Sequence, residues 1–451
     1  MNGQERYSFS NAMRNGDIKT KSSLVVMGLG NIFRGQIAKG IIFFLIEVAY
    51  IMFMIFRGGA AIFGLGTLGT VEQGEVWNEA KGIYEYTAGD NSLLILLFGI
   101  VTIFVTLGFI ILYVANVKSA YKVQYLKEHG SKIPTFIDDI KDLFDNNLHT
   151  LLLTGPVLGV VIFTILPLIF MIAMAFTSYS KVDQKLVLFD WVGFKNFADV
   201  LSLNGSIGRQ FWGVLGWTLI WAVLSTVLNY LLGMILAILI NRRTTKGKGF
   251  WRFCFILSIA VPQFVSLLIM RTMLQPEGAV NVLLRSLGLI EQGASLPFLT
   301  DPTWARATVI IINLWVGIPF TLIQITGILQ NIPGDLYEAA TIDGASPFVM
   351  FMKITLPYML FVTTPYLITT FMTNVNNFNV IYLLSNGDPT PVGDTAGKTD
   401  LLVTWLYKLT IDKQYYNVGA VIGILTFVVL AIVSLVTYRN TNSYKDEEGF
   451  M

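Results

Sequence analysis

The chain has 451 residues, of which 54% are hydrophobic and only 13% are charged, and its mean hydropathy is +0.63. Soluble proteins carry about 25% charged residues, so this composition indicates a protein whose main solvent is lipid. The net charge is +2 and there is no basic patch containing aromatic residues, so the sequence does not support nucleic-acid binding. The single cysteine, Cys254, excludes an intrachain disulfide, and the isolated His129 and His149 make metal chemistry unexpected.

Apolar stretches long enough to cross a bilayer recur along the chain. A bilayer core needs about 20 apolar residues per helix. Eight stretches meet that length and predict an all-α integral membrane protein with about eight transmembrane helices: 37–57, 93–115, 150–176, 214–240, 252–274, 305–328, 359–383 and 418–438. The short Gly-rich run at 60–70 is predicted to be a surface loop or a partial helix. Residues 1–36 hold no apolar signal-peptide core, so we expect every span to be kept in the mature protein.

Lysine and arginine concentrate in alternate loops, and their positions orient a membrane protein. Five or six lysines and arginines lie in each of the segments 1–40, 116–149 and 241–252. The segments 58–92 and 275–304 hold only one each. This alternation predicts that both termini, and the loop 329–358, lie in the cytoplasm. The predicted parts are a cytoplasmic N-terminal segment (1–36), a transmembrane hairpin of two spans with an interfacial helix at 135–148 (37–149), a transmembrane core (150–438) and a cytoplasmic tail (439–451).

The loop between spans six and seven differs from the other cytoplasmic loops because it is acidic. Pro333 suits the start of a helix, Gly344 suits the left-handed residue that ends it, and Ser346 suits the cap of a second helix. An acidic pair of short helices facing the cytoplasm is either an ordinary connector or a surface that docks another protein, and the residues alone leave both open. Its three acids and one base are Asp335, Glu338, Asp343 and Lys353.

A motif within this loop resembles a known family. Glu338-Ala339-Ala340, three residues, Gly344, nine residues and then the run 354–357 match the EAA loop of ABC-importer membrane subunits. The chain from 192–197 to its end is similar to the maltose/maltodextrin-type (MalF-like) permease subunits, whereas the first 150 residues agree only in their pattern of spans. Further matching stretches are 260–262, 301–306, 313–319, 374–378 and 399–403.

The resemblance implies a type I ABC importer (MetI-like) permease fold. In that fold, loop 333–357 is a coupling helix that sits in a cleft of a separate cytoplasmic ATPase. The residues implied in ATPase coupling are Glu338, Ala339, Ala340, Asp343, Gly344 and Pro357. The implied partners are a second permease subunit (MalG-like) in a heterodimer, two ATPase subunits, an extracellular sugar-binding protein, an oligosaccharide substrate and the lipid of a bacterial cell membrane.

Span seven carries four asparagines in six residues, and amides inside hydrocarbon cost free energy unless they have partners. Such amides either hold helices together, at about 0.6–2 kcal/mol, or line a polar cavity, and their number favours a cavity that binds sugar hydroxyls. The four are Asn374, Asn376, Asn377 and Asn379. The family resemblance assigns sugar contacts to Ile259, Gln263, Asn313, Val316, Gly317, Phe320, Asn374 and Asn377.

The sugar positions depart from the maltose-type pattern at three places. That pattern has a tyrosine at Ile259, a serine at Gln263 and an aromatic residue at Thr373. The departures remove stacking surface, so we expect an oligosaccharide without committing to maltose. The alternatives are another sugar carried by the same machinery, such as a galacto- or arabino-oligosaccharide, or an ion-coupled sugar carrier. The second alternative would need a buried carboxylate, and the only acid well inside a span is Glu47.

The sequence has no Gly-x-x-x-x-Gly-Lys-Ser/Thr phosphate-binding loop. We therefore expect a protein that is not itself an enzyme and binds no cofactor. ATP and Mg²⁺ would be bound by the partner ATPase.

Overall fold

The computed structural model describes residues 7–181, 187–242 and 244–439, without the side chain of Val76. The tail predicted at 439–451 therefore lies almost wholly outside the described residues. Seven helices in the described part are long and apolar enough to cross a membrane, and a bent helix pair brings the number to eight if it forms one span. The prediction of an all-α membrane protein is confirmed.

The chain forms two compact units, Met1–Gly193 and Phe194–Met451. The domain boundaries drawn from the sequence are functional divisions and stay predictions. The helices and strands of the first unit are α1 (Phe9–Asn15), α2 (Ile18–Ser22), α3 (Leu29–Ile32), α4 (Ile37–Thr67), β1 (Gly74–Asn78), β2 (Ile83–Thr87), α5 (Ser92–Glu128), α6 (Phe136–Phe144) and α7 (Leu148–Met174). Strands β1 and β2 form an antiparallel hairpin in which Gly74 lies opposite Thr87.

Helix α4 is longer than the sequence predicted. Of the two alternatives predicted for the run at 60–70, the partial helix is confirmed and the surface loop is wrong, because α4 continues through a π-helical turn at Met54–Gly58 to Thr67. Packing explains the extension: a Cβ at Gly99 of α5 would lie 2.3 Å from the Leu65 side chain, so the glycine lets α4 and α5 approach closely.

The N-terminal segment has a tertiary structure that its polar composition did not indicate. The Met27 side chain is fully buried, and its backbone N–H donates to Glu47 Oε2 at 2.8 Å. The Gly28 N–H donates to Asn116 Oδ1 on α5, also at 2.8 Å. A Cβ at Gly28 would lie 2.0 Å from the Gly40 carbonyl oxygen, so only glycine fits this contact with α4. The intramembrane acid Glu47 is thus paired with the protein's own backbone.

Helix α6, Phe136–Phe144, lies within the interfacial helix predicted at 135–148, whose place on a membrane surface stays a prediction. The Thr135 hydroxyl accepts from the Asp138 N–H at 3.2 Å and the Asp138 carboxylate accepts from the Thr135 N–H at 2.9 Å, which is a complete capping box. The hydrogen bonds from Thr135 lower the pKa of Asp138. Phe136 and Phe144 remain exposed, as expected of a helix lying on a membrane surface.

The second unit is built around one long helix, α9, which packs on α13 and on α15. Trp221 of α9 is fully buried in the main apolar cluster, together with Leu267 of α11 and Val309 of α13. Each such side chain contributes about 1.5–3 kcal/mol by burial. The helices are α8 (Lys195–Leu201), α9 (Ser206–Asn241), α10 (Lys248–Ala260), α11 (Gln263–Met273), α12 (Ala279–Ser286), α13 (Pro302–Leu329), α14 (Gly334–Ile342), α15 (347–375), α16 (Phe378–Leu384), α17 (Leu402–Tyr407) and α18 (Tyr416–Arg439).

The fifth predicted span, 252–274, is not one continuous helix. It consists of α10 and α11, which meet at 86°. Pro262 causes the break, because proline offers no N–H to a helix and disfavours the helical conformation of the residue before it. Val261 accordingly has extended backbone, with φ −81° and ψ 124°.

Candidate functional site

The acidic loop has the predicted form of helix, bend and helix. Helix α14 ends at Ile342 with Asp343 as its C-cap residue, and Gly344 follows with φ +75°, in the left-handed region that favours glycine. The Ser346 hydroxyl then accepts from the Val349 N–H at 3.4 Å, and Pro347 is the first residue of α15. Helix α15 continues through a π-helical turn at Phe351–Thr355 and past Pro357 into span seven, so the second part of the loop and the span form one continuous helix.

The surface of this loop is exposed and partly apolar. Ile342 is 87% exposed and Phe348 is 72% exposed, beside the exposed carboxylates of Glu338 and Asp343. The remaining residues implied in coupling also lie on this surface: Ala339, Ala340, Gly344 and Pro357 are exposed or partly exposed. The sequence reasoning missed Ile342 and Phe348, although two large apolar residues beside the bend were a readable signal of a docking surface.

A side-chain contact ties α14 to the start of span seven. The Tyr337 hydroxyl lies 2.8 Å from the Thr355 hydroxyl oxygen, across the bend at Gly344. Ile332, just before α14, is buried in an apolar cluster that includes Met359 of α15. A hydrogen bond and apolar packing therefore join α14 and α15 across the bend.

A cavity of about 160 Å³ lies where the broken span meets α13. Four of the predicted sugar residues line it: Ile259, Gln263, Val316 and Phe320. The sequence reasoning missed Ser258 and Ser266, whose hydroxyls join the Gln263 amide in an apolar wall. Their positions on either side of Pro262 follow from the helix break, which was not predicted. The lining is completed by Trp315, Val261 and Pro262.

The other four predicted sugar residues lie away from this cavity in the present conformation. Asn313 is buried in α13. Gly317 faces α9, where a Cβ would lie 2.4 Å from Asn229 Oδ1. Asn374 Nδ2 donates to the Thr226 hydroxyl at 3.0 Å, which is the helix-joining role that the sequence left as an alternative.

Asn377 also has a structural contact. Its Oδ1 accepts from the Val380 N–H at 3.2 Å and caps α16, just after the break that separates α15 from α16. Discontinuous membrane helices with polar residues at their ends commonly surround transport sites. The breaks at Pro262 and at Asn377 are two such points within one unit.

Buried polar atoms without partners occur on α9, on the face that meets α13. Within the described residues, Ser225 Oγ and Asn229 Oδ1 have no hydrogen-bond partner, although Asn229 Nδ2 donates to the Ser225 carbonyl at 2.8 Å. Orphaned groups of this kind cost about 1–3 kcal/mol each. Because buried polar groups nearly always have partners, these atoms indicate that the α9–α13 contact has a role besides packing. The sequence reasoning did not use this signal.

The fold and these sites define a multi-pass membrane protein of the binding-protein-dependent transporters. The model of the family described as the inner membrane component of binding-protein-dependent transport systems matches residues 229–443. The maltodextrin transport permease protein MdxF of Bacillus subtilis strain 168 is 36% identical over 443 residues, which cover 95% of this chain and 97% of that protein. The galactooligosaccharides transport permease protein GanP of the same strain is 35% identical over 429 residues, or 94% and 97% of the two chains.

A solved structure is similar as well. A chain of a bacterial ABC transporter involved in the import of the acidic polysaccharide alginate superimposes with a TM-score of 0.53 at 26% identity, over 66% of this chain and 96% of that chain. The present chain belongs to the family of permease subunits of carbohydrate ABC importers. The fold class and the family resemblance drawn from the sequence are thereby confirmed.

Proposed function

We propose that the chain is the transmembrane subunit of an ATP-driven ABC importer that moves an oligosaccharide of the maltodextrin kind into the cytoplasm. The exposed coupling loop is the observation that carries this proposal. An apolar residue that is 87% exposed, Ile342, beside the acidic Glu338 and a left-handed Gly344, suits insertion into a cleft of another protein. A connector with no partner gains nothing from exposing such a residue.

The proposal assigns the loop and both termini to the cytoplasm, following the distribution of lysine and arginine. Two ATPase subunits bind ATP and Mg²⁺ and hydrolyse the nucleotide, since this chain has no phosphate-binding loop. A second, MalG-like permease subunit completes the pathway as a heterodimer. An extracellular sugar-binding protein delivers the substrate to the opposite face.

In the proposed mechanism, closure of the ATPase subunits displaces α14. The contact between Tyr337 and Thr355 and the continuity of α15 carry that displacement along span seven to Asn374 and Asn377. Motion there changes the contacts between α15 and α9 and opens the sugar site to the cytoplasm. The chemistry is confined to the ATPase, and the residues of this chain bind the sugar and transmit movement.

The cavity and the relatives support the proposed substrate class. The cavity combines the exposed rings of Trp315 and Phe320 with the amide of Gln263 and two serine hydroxyls. Aromatic surface with a few neutral polar groups suits an uncharged sugar. A galactooligosaccharide is the second candidate, because GanP is almost as similar to this chain as MdxF is.

The coupling proposal is tested in the assembled complex in proteoliposomes with Gly344→Val. Valine at a φ of +75° costs about 1–2 kcal/mol of backbone strain and distorts the bend. We expect sugar uptake to fall at least tenfold while ATP hydrolysis loses its dependence on the sugar-loaded binding protein. Gly334→Val is the matched control, since Gly334 lies in the same loop, has open space around it and does not have a positive φ. Normal coupling in Gly344→Val would refute the proposal.

The sugar proposal is tested by uptake of a panel of gluco- and galacto-oligosaccharides. We expect at least one of the two series to be accumulated against a gradient, with ATP as the only energy source. Accumulation driven by a proton or sodium gradient in ATP-depleted vesicles would instead identify an ion-coupled carrier.

A further inference from the structure

Helix α16 has two faces with different roles. Val380, Ile381 and Leu384 are fully buried in the core of the second unit. The opposite face carries Phe378 and Tyr382, one turn apart, whose rings stack with centroids 4.7 Å apart. This second face is only partly buried.

A third ring joins this face from α17. The Tyr407 ring meets Phe378 edge-on at 5.0 Å and Tyr382 edge-on at 5.2 Å. The result is an aromatic platform of three rings, with two phenol hydroxyls at its margin. Edge-to-face contacts fix the rings relative to one another, so their outer surfaces are preorganised.

Two residues of opposite charge lie on segments next to the platform. Arg271 is on α11, which packs against α16, and Asp412 lies five residues after α17. Across residues 7–181, 187–242 and 244–439, neither of these two side chains has a hydrogen bond or an ion pair. A free guanidinium offers donors, a free carboxylate offers acceptors, and the rings offer an apolar surface. A sugar ring needs this combination, since its C–H face is apolar and its edge carries hydroxyls.

The platform lies along the same helix as the cavity. Gln263 lines the cavity at the first residue of α11, and Arg271 follows eight residues later. At 1.5 Å per residue the two positions are separated by about 12 Å along the helix axis. One hexose ring does not span that distance, whereas a chain of several does.

We propose that Phe378, Tyr382 and Tyr407, with Arg271 and Asp412, form an outer subsite for a further sugar ring of the oligosaccharide. The inference rests on the proposed function and deepens it, because it makes the permease prefer longer chains. A disaccharide reaches the cavity alone. A longer chain also stacks a ring on the platform.

The test uses the assembled complex in proteoliposomes with the same sugar-binding protein throughout. The measured quantity is kcat/KM for uptake of a hexasaccharide relative to that of the disaccharide of the same linkage. Comparing each variant with the wild type cancels the length preference of the binding protein. For Tyr382→Ala we expect this ratio to fall about five- to tenfold, the loss typical of one aromatic contact.

Tyr382→Phe keeps the ring and is expected to retain a ratio within about twofold of the wild type. Trp304→Ala is the matched control, because Trp304 is another exposed aromatic residue of the same unit and also packs edge-on, against Phe298 at 5.8 Å. It is expected to leave the ratio unchanged.

A Tyr382→Ala variant that loses uptake of both sugars equally, or of neither, overturns the outer subsite alone. A wild-type complex that transports no oligosaccharide of any length overturns the proposed function and the subsite with it. A fall in the ratio that Tyr382→Phe restores supports both.

Discussion

Helix α15 has a break at each end, and the two breaks are built differently. At Gly344 the chain turns through a left-handed glycine in an exposed segment, and large apolar side chains point away from the protein. At Asn377 the turn is closed by side chains: Asn374 is bonded to α9 and Asn377 caps α16. The surface at Gly344 is exposed, whereas the polar side chains at the second break form hydrogen bonds within the chain. Helix α15 therefore has one open, exposed end and one anchored end.

The largest expected effect concerns the open end. Ile342→Asp places a charge on the most exposed apolar residue of the coupling loop. We expect binding of the ATPase subunits to weaken at least thirtyfold, as for an interface hot spot of about 2 kcal/mol or more. Titration of the purified permease with ATPase subunits measures this.

The thermal midpoint of the isolated permease should not change, since Ile342 contacts solvent. Ile411→Asp, at another exposed isoleucine of the second unit, is the control. Unweakened ATPase binding by Ile342→Asp would show that the break at Gly344 is a simple connector.

A smaller effect is expected at the anchored end from Trp221→Phe. The Trp221 Nε1 donates to the Asn374 carbonyl oxygen at 3.1 Å in the core. Phenylalanine fills most of the space but removes this hydrogen bond, while the Asn374 carbonyl keeps the Asn377 N–H at 3.2 Å, so the expected loss is about 1 kcal/mol. Thermal unfolding of the complex in detergent checks this, and an unchanged midpoint would mean that the break at Asn377 is held by other contacts.

Two substitutions of Asn377 distinguish its role in anchoring α16 from its proposed role in sugar binding. Asn377→Ala removes the cap of α16, at about 1 kcal/mol, whereas Asn377→Ser keeps a capping oxygen but loses the carboxamide. We expect both variants to lose uptake and only the alanine variant to lose stability, if the amide contacts sugar during transport as proposed. Uptake retained by Asn377→Ser would return Asn377 to a purely structural role.

The smallest effect is expected from Ser346→Ala at the open end. The cap that it removes is long, 3.4 Å, and exposed, so the loss should be below about 1 kcal/mol. Uptake should stay within twofold of the wild type. A large loss of uptake would mean that the Ser346 hydroxyl contacts the ATPase.

The coupling loop could be predicted from sequence almost residue by residue, and the sugar region could not. The conformations of Gly344, Ser346 and Pro347 depend on neighbours within four residues. They can therefore be predicted from local sequence, as a left-handed glycine, a helix cap and a proline in a first turn. The positions of Asn374 and Gly317 depend on Thr226 and Asn229 of α9, which lie 148 and 88 residues away from them in the chain. The break at Pro262 arises because proline disfavours a continuous helix. It was not predicted, because the apolar residues run continuously through 252–274 and suggested one span. The platform of Phe378, Tyr382 and Tyr407 needs α16 and α17 to meet, which no local pattern reports.

The pairing of Glu47 with the Met27 N–H has a consequence for the order of biosynthesis. A carboxylate in the middle of a first membrane helix opposes insertion by about 2.5–3.5 kcal/mol. Its partner lies only 20 residues upstream, so both groups have left the ribosome before the second helix is made. The contact of Gly28 with Asn116 forms only after α5 has been synthesised. We therefore expect the N-terminal segment to assist insertion first and to become a structural part of the hairpin afterwards, so an expression tag that displaces residues 27–28 should lower membrane yield before it affects transport.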